Sequence, residues 1–135
     1  MTSDAEIRAI LTAVKTIAVV GWSPKPERPS HGVAAFLKAR GYRVIPVNPG
    51  QAGQKALGET VVASLAEAGP VDMVDIFRRS EEAGAVADAA VAHGAKVVWM
   101  QLGVADEAAA ARARAAGLSV VMNRCPKIEI ARLGL

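Results

Sequence analysis

The sequence predicts an α/β protein: a doubly wound, parallel five-stranded sheet with helices on both faces, three layers (α/β/α) in a single domain spanning 1–135. Three observations carry this reading. Strand-like runs at 16–20, 43–47, 73–77, 96–100 and 118–122 recur at regular intervals, each followed by a helical pattern. Most of these runs are continuously apolar rather than alternating, as in parallel strands buried on both faces. The 135 residues, 52% hydrophobic and 21% charged, suit one core and leave no room for a second of similar size. Regular β-α alternation implies right-handed crossovers, and the strand order it suggests is 3-2-1-4-5.

The elements follow in order. Ser3 and Glu6 form a capping box for a leading helix whose apolar stripe is Ile7, Ile10, Leu11 and Val14. The first strand leaves through Gly21, and a helix begins near Ser30. Gly41, Gly94 and Gly117 each precede a strand, where a helix needs a left-handed C-terminal residue. Ala83, Val86, Ala87, Ala90 and Val91 mark the apolar face of a further helix, and the alanine-rich 108–116 segment reads as another. A short C-terminal helix follows Pro126.

Composition narrows the function classes. No apolar stretch approaches the roughly 18 residues of a membrane span, and the N-terminus has no secretory pattern. Cys125 is the single cysteine, which excludes an internal disulfide and a multi-cysteine zinc site. The net charge of +3 comes from scattered residues, and aromatics are only 4%, a poor basis for a nucleic-acid stacking surface. A cytoplasmic protein engaging neither membrane nor nucleic acid is the expectation.

In such a sheet, ligands bind beyond the carboxyl ends of the strands, where the strand order reverses. The first strand-to-helix loop, Gly21-Trp22-Ser23-Pro24-Lys25-Pro26-Glu27-Arg28-Pro29-Ser30, is the richest. Gly21 allows close approach to the backbone. Ser30 at a helix start, with free N–H groups behind it, makes an anion site flanked by Lys25 and Arg28; the plain alternative is a turn and a helix cap. The loop is neither a Walker A nor a G-x-G-x-x-G fingerprint. The second strand ends in Val47-Asn48-Pro49, where a nicotinamide-binding domain would carry a carboxylate for the ribose. NAD is therefore disfavoured, and NADP would require Lys55 to bend back toward a 2′-phosphate.

The remaining loops add Ile76-Phe77-Arg78-Arg79-Ser80, with two arginines suited to phosphate or simply to solvent, and Gln101-Leu102-Gly103, with an amide and another glycine. Trp99 reads as core or pocket wall, its indole N–H needing a partner. Asn123-Arg124-Cys125-Pro126 puts a thiol beside a cation at a helix start, an electropositive setting. His93 falls at a helix C-terminus on the opposite rim, and His31 at a helix start on the ligand rim. No catalytic residue and no metal site is assigned, because no Ser-His-Asp pattern, carboxylate pair or ligand cluster emerges.

Taken together, Val19-Val20-Gly21-Trp22-Ser23, Lys25-Pro26-Glu27-Arg28-Pro29-Ser30, Ile45-Pro46-Val47-Asn48-Pro49, the 71–78 run, Trp99-Met100-Gln101-Leu102-Gly103 and Asn123-Arg124-Cys125-Pro126 resemble the small bacterial CoA-binding proteins. These are similar to the N-terminal CoA-binding domain of the succinyl-CoA synthetase α subunit. The resemblance covers nearly the whole chain. It implies a Rossmann-like fold that binds coenzyme A or an acyl-CoA. Gly21, Ser23 and the stretch Lys25, Arg28, Pro29, Ser30 would surround the phosphates. Val47, Asn48 and Pro49 would border the adenosine, with Ile76, Phe77 and Arg78 continuing that wall. Gln101, Gly103, Asn123 and Cys125 would lie toward the pantetheine. Trp22 departs from the small residue usual in the family, and would narrow the loop or supply an aromatic wall. The phosphorylated histidine domain and ATP-grasp partner of the synthetases have no counterpart in the sequence. The reading is therefore a stand-alone binding, carrier or regulatory module. The alternatives are an NAD(P)-binding oxidoreductase, or a non-catalytic subunit acting with a separate protein partner.

Overall fold

The structure, a computed structural model, describes residues 2–135; of the domain read over 1–135, Met1 lies outside the described residues. The elements run α1 (Asp4–Ala13), β1 (Thr16–Val20), α2 (Pro29–Ala39), β2 (Arg43–Val47), β3 (Lys55–Ala56), β4 (Glu59–Thr60), β5 (Met73–Ile76), α3 (Ser80–His93), β6 (Val97–Met100), α4 (Glu107–Ala115), β7 (Ser119–Val121) and α5 (Pro126–Leu133). Strands β2-β1-β5-β6-β7 pair in parallel as one five-stranded sheet. Ile17, Val19, Val44, Met73, Val97, Trp99 and Val121 pack on one face with α1, α2 and α5. Ala18, Ile45, Val74, Ile76, Val98, Met100 and Val120 pack on the other with α3 and α4. The α/β/α sandwich of the sequence reading is present.

Local chemistry explains the ends of the elements. Ser3 accepts the Glu6 backbone N–H at 3.2 Å and caps α1. Gly41, Gly94 and Gly117 all adopt positive φ at the turns into β2, β6 and β7. The alanines of α3 and α4 let these helices approach each other and the sheet closely; Ala83, Ala87, Ala90, Ala109 and Ala110 are fully buried.

Two expectations are corrected. The strand order is not 3-2-1-4-5: counting only the five strands of the main sheet, it is 2-1-3-4-5, with β5 beside β1 and β2 at the edge. And no α-helix follows β2. Residues 48–72 instead form two 3₁₀ turns around the β3–β4 hairpin. Pro46 gives the reason. It has no N–H for a ladder on its outer side, so β2 cannot be an interior strand. That side is closed by a single bridge from Val62, whose N–H donates to the Pro46 carbonyl at 3.1 Å, while Asn48 N–H donates to the Val62 carbonyl at 2.9 Å. The chain then returns to β1, where the Asp72 carboxylate accepts the N–H groups of Lys15 and Thr16 at 2.9 and 3.0 Å and starts β5 in register. These bonds hold the Asp72 carboxyl below its usual range. The reversal of strand order therefore lies between β1 and β5, so the 21–30 and 77–80 loops are immediate neighbours.

Candidate functional site

At that reversal lies a cavity of about 650 Å³, within the size range of small-molecule sites. Its wall is built mainly from the first loop. Gly21 has φ +93°, and any side chain there would collide with the Phe77 carbonyl oxygen, so a glycine is what lets the loops after β1 and β5 pack this closely. Ser23 is held on three sides. Its N–H donates to Ser30 Oγ at 3.0 Å, its Oγ accepts Lys25 N–H at 3.2 Å, and its carbonyl meets His31 Nδ1 at 3.0 Å. The helix begins one residue earlier than expected, with Arg28 at the N-cap, Pro29 first and Ser30 second. Ser30 thus does not cap α2; it is buried and braces the loop. His31 stacks on Trp22, ring centroids 5.9 Å apart.

Trp22 neither fills nor closes the cavity. It is 4% exposed and packs into the core layer with α2 and α5, presenting part of its surface to the cavity. Its indole N–H is buried without a hydrogen-bond partner among the described residues. Trp99 differs: its Nε1 donates to the Arg124 carbonyl at 2.8 Å, the partner the sequence reading required.

Of the residues singled out from the sequence, Gly21, Trp22, Ser23, Lys25, Arg28, Pro29, Ser30, Asn48, Phe77, Arg78, Gln101, Gly103 and Cys125 line this cavity. Val47 and Pro49 line a smaller hollow of about 260 Å³ on the α3 side of the sheet, which shares Gly21 and Arg78 with the first. Ile76 is fully buried in the α3–α4 layer. Asn123 stands behind the wall at φ +56°, its Oδ1 accepting Gly103 N–H at 2.7 Å. Asn48 is likewise a brace: Nδ2 donates to the Trp22 carbonyl at 2.7 Å and Oδ1 accepts Gly50 N–H at 2.8 Å. Lys55 bonds Thr60 within the β3–β4 hairpin and takes no part in the cavity.

Charge at the mouth is uneven. Lys25 and Arg28 enter no ion pair among the described residues. Arg78 and Arg79 both engage Glu82, at 3.3 and 2.9 Å. The Arg79 guanidinium bonded to it holds the Glu82 carboxyl below its usual range. Cys125 is buried at the N-cap of α5, and the neighbouring Arg124 turns to Glu129 at 2.7 Å. The cation expected to act on the thiol is thus already paired. Among the described residues, no group of three or more His, Cys, Asp or Glu could hold a metal ion, and no helix is long and apolar enough to cross a membrane.

Val33, Val104 and Asp75 escaped the sequence reading. Val33 and Val104 line the cavity and, as valines outside any motif, carry no signal of it in the sequence. Asp75 is wholly buried in the middle of β5; its signal was a lone carboxyl in an otherwise apolar strand.

A family model described as CoA binding domain matches residues 15–131. The chain belongs to the CoA-binding domain family. This CoA-binding domain is 43% identical over 127 residues to the uncharacterized protein YneT of Bacillus subtilis (strain 168), covering 93% of each chain. Two solved structures are similar throughout. A Thermus thermophilus protein, cell-free ID.343, superposes with a TM-score of 0.91 at 39% identity, over 98% of this chain and 99% of the other. A hypothetical protein of Pyrococcus horikoshii OT3 gives 0.92 at 38% identity, over 99% and 94%.

Proposed function

We propose that the domain binds coenzyme A or an acyl-CoA in the cavity beyond β1 and β5, as a stand-alone binding, carrier or regulatory module. The observation that carries this reading is the composition of the cavity wall. Unpaired Lys25 and Arg28 stand at a rigidly braced loop, while Trp22, Val33, Phe77, Val104 and Cys125 line the apolar part. A ligand with one polyanionic end and one long, weakly polar arm suits both halves. The cations meet phosphate oxygens through charge-assisted hydrogen bonds. Gln101 meets the amide-bearing arm, and the apolar wall excludes water along it. A nicotinamide dinucleotide suits the site less well, because β2 is followed by Asn48, whose amide is engaged at both ends, and not by a ribose-binding carboxylate.

Calorimetric titration with CoA, acetyl-CoA, NAD and NADP under one buffer condition tests the reading. CoA or acetyl-CoA should bind more tightly than either dinucleotide, and should raise Tm in proportion, since the ligand stabilises only the folded state. Tighter binding of NADP would reverse the assignment.

A further inference from the structure

Asp75 is 0% exposed and Gln101 5%, and their side chains meet each other. Asp75 stands in register with Val19 on β1 and Trp99 on β6, and so points to the face covered by α1, α2 and α5. Gln101 follows two residues after Trp99 on that same face and lines the cavity. One end of its amide lies 3.0 and 3.3 Å from the two Asp75 carboxyl oxygens; toward an ionised Asp75 that end is the NH₂, which donates to both. Two arrangements satisfy this contact. An ionised Asp75 would accept from the Gln101 NH₂, leaving the amide carbonyl for the cavity. A carboxylic acid would donate its O–H to the Gln101 carbonyl, leaving the NH₂ for the cavity.

The surroundings choose between them. Among the described residues no cation reaches Asp75: it forms no ion pair there, and burial drives its carboxyl well above the usual range. The charged groups of the covering helices are engaged elsewhere. Asp4 and Glu129 hold Arg132, Glu129 also holds Arg124, Arg8 reaches the Leu133 carbonyl, and Lys127 lies over the Phe36 ring. His31 bonds Ser23, and Lys38 and Arg40 sit at the far end of α2. An isolated buried carboxylate is costly enough that such a group keeps its proton instead.

We propose that Asp75 is a positioning residue for ligand recognition: its carboxylic acid donates to the Gln101 carbonyl and so turns the Gln101 NH₂ into the cavity, toward a carbonyl acceptor on the bound molecule. Under the CoA reading above, on which this rests, that acceptor is an amide or thioester carbonyl of the pantetheine arm. A lone carboxyl inside an apolar strand thereby sets the hydrogen-bond polarity of the cavity wall.

The test combines a spectrum with a mutant cycle. Infrared difference spectra of ¹³C-aspartate-labelled wild type against Asp75→Asn at neutral pH should show the carbonyl band of an unionised acid; a carboxylate band instead overturns the proposal. Acetyl-CoA affinity should fall about tenfold in Asp75→Leu and in Gln101→Leu, the loss of one hydrogen bond, and Gln101→Leu should cost little more in the Asp75→Leu background. Asp75→Asn keeps an N–H donor facing the Gln101 carbonyl and should rescue affinity to within about twofold. Adenosine 3′,5′-bisphosphate, which lacks the arm, should bind wild type and all four variants equally. Equal loss in Asp75→Asn and Asp75→Leu, or additive losses in the double variant, overturns the proposal. Should Asp75→Leu fail to fold, the band and the Asp75→Asn affinity still decide. Wild type that binds neither acetyl-CoA nor the bisphosphate defeats the CoA reading alone, since the infrared band reports the Asp75–Gln101 bond without ligand.

Discussion

Asp75 and Glu129 are both buried acids on the side of the sheet covered by α1, α2 and α5, and their surroundings drive them in opposite directions. Glu129 is 4% exposed but accepts from Arg132 at 3.1 Å and from Arg124 at 2.7 Å. Those guanidiniums, Arg132 foremost, hold its carboxyl below the usual range against the effect of burial. Asp75 has no cation among the described residues and answers burial by rising. Burial sets the cost of a charge, and the presence of a fixed counter-charge decides whether that cost is met by pairing or by keeping a proton. Glu129 ties α5 to α1 through the Arg132–Asp4 contact. Asp75 is left free to act on Gln101.

The strongest way to break the comparison is pH. Because Asp75 is raised in the folded state, its contribution is complete below the unfolded pKa, near the ordinary aspartate value of 3.8, and is lost as pH rises toward the folded value. Stability should decline by about 1.4 kcal/mol per pH unit in that window. Asp75→Asn removes the decline, so urea melts at pH 8 should find the variant more stable than wild type. Parallel stability curves from pH 5 to 9 would place Asp75 with the paired acids.

Glu129→Gln should do the reverse. Its lowered carboxyl contributes stability above the unfolded value of about 4.5, lost as pH falls through the folded one. Since Arg124 and Arg132 are partly exposed, the loss at pH 7 should be about 1–2 kcal/mol, smaller than for a dry pair. The wild type–variant difference should vanish in acid, and a constant difference across pH would mean that packing, not charge, was removed.

The same contrast extends to the rim, where Arg28 is unpaired and Arg78 faces Glu82 at 3.3 Å. Arg28→Ala should weaken CoA binding by about 1–3 kcal/mol and Arg78→Ala by about 0.5–1 kcal/mol, read by calorimetry. Equal losses would show that the Glu82 contact does not temper Arg78. Smallest of all is Asp4→Asn at the exposed end of the Arg132 network, which should leave Tm within error of wild type. A clear drop would make that surface pair an anchor of α1.

The alternation of apolar strands and helices, the capping box at Ser3 and the C-terminal glycines were legible because each rests on neighbours within a few residues. So was the rim on which the 21–30 loop, Arg78, Gln101 and Cys125 gather, since a parallel sheet sends every β-α loop to one edge. The strand order was half-written in Pro46, whose missing N–H marks an edge strand, but the bridge from Val62 that closes the edge is a contact between distant residues. What only the tertiary structure decided is how each polar group is employed. Ser30, Asn48 and Asn123 have the composition of ligand-binding residues, yet their hydrogen bonds hold loops together. Asp75 looks in sequence like Asp72 three residues before it, and the two differ because one meets backbone N–H groups at the start of β1 and the other stands between Val19 and Trp99 and meets one amide. Periodicity is a property of the chain taken alone, whereas desolvation and counter-charge depend on what folding brings alongside.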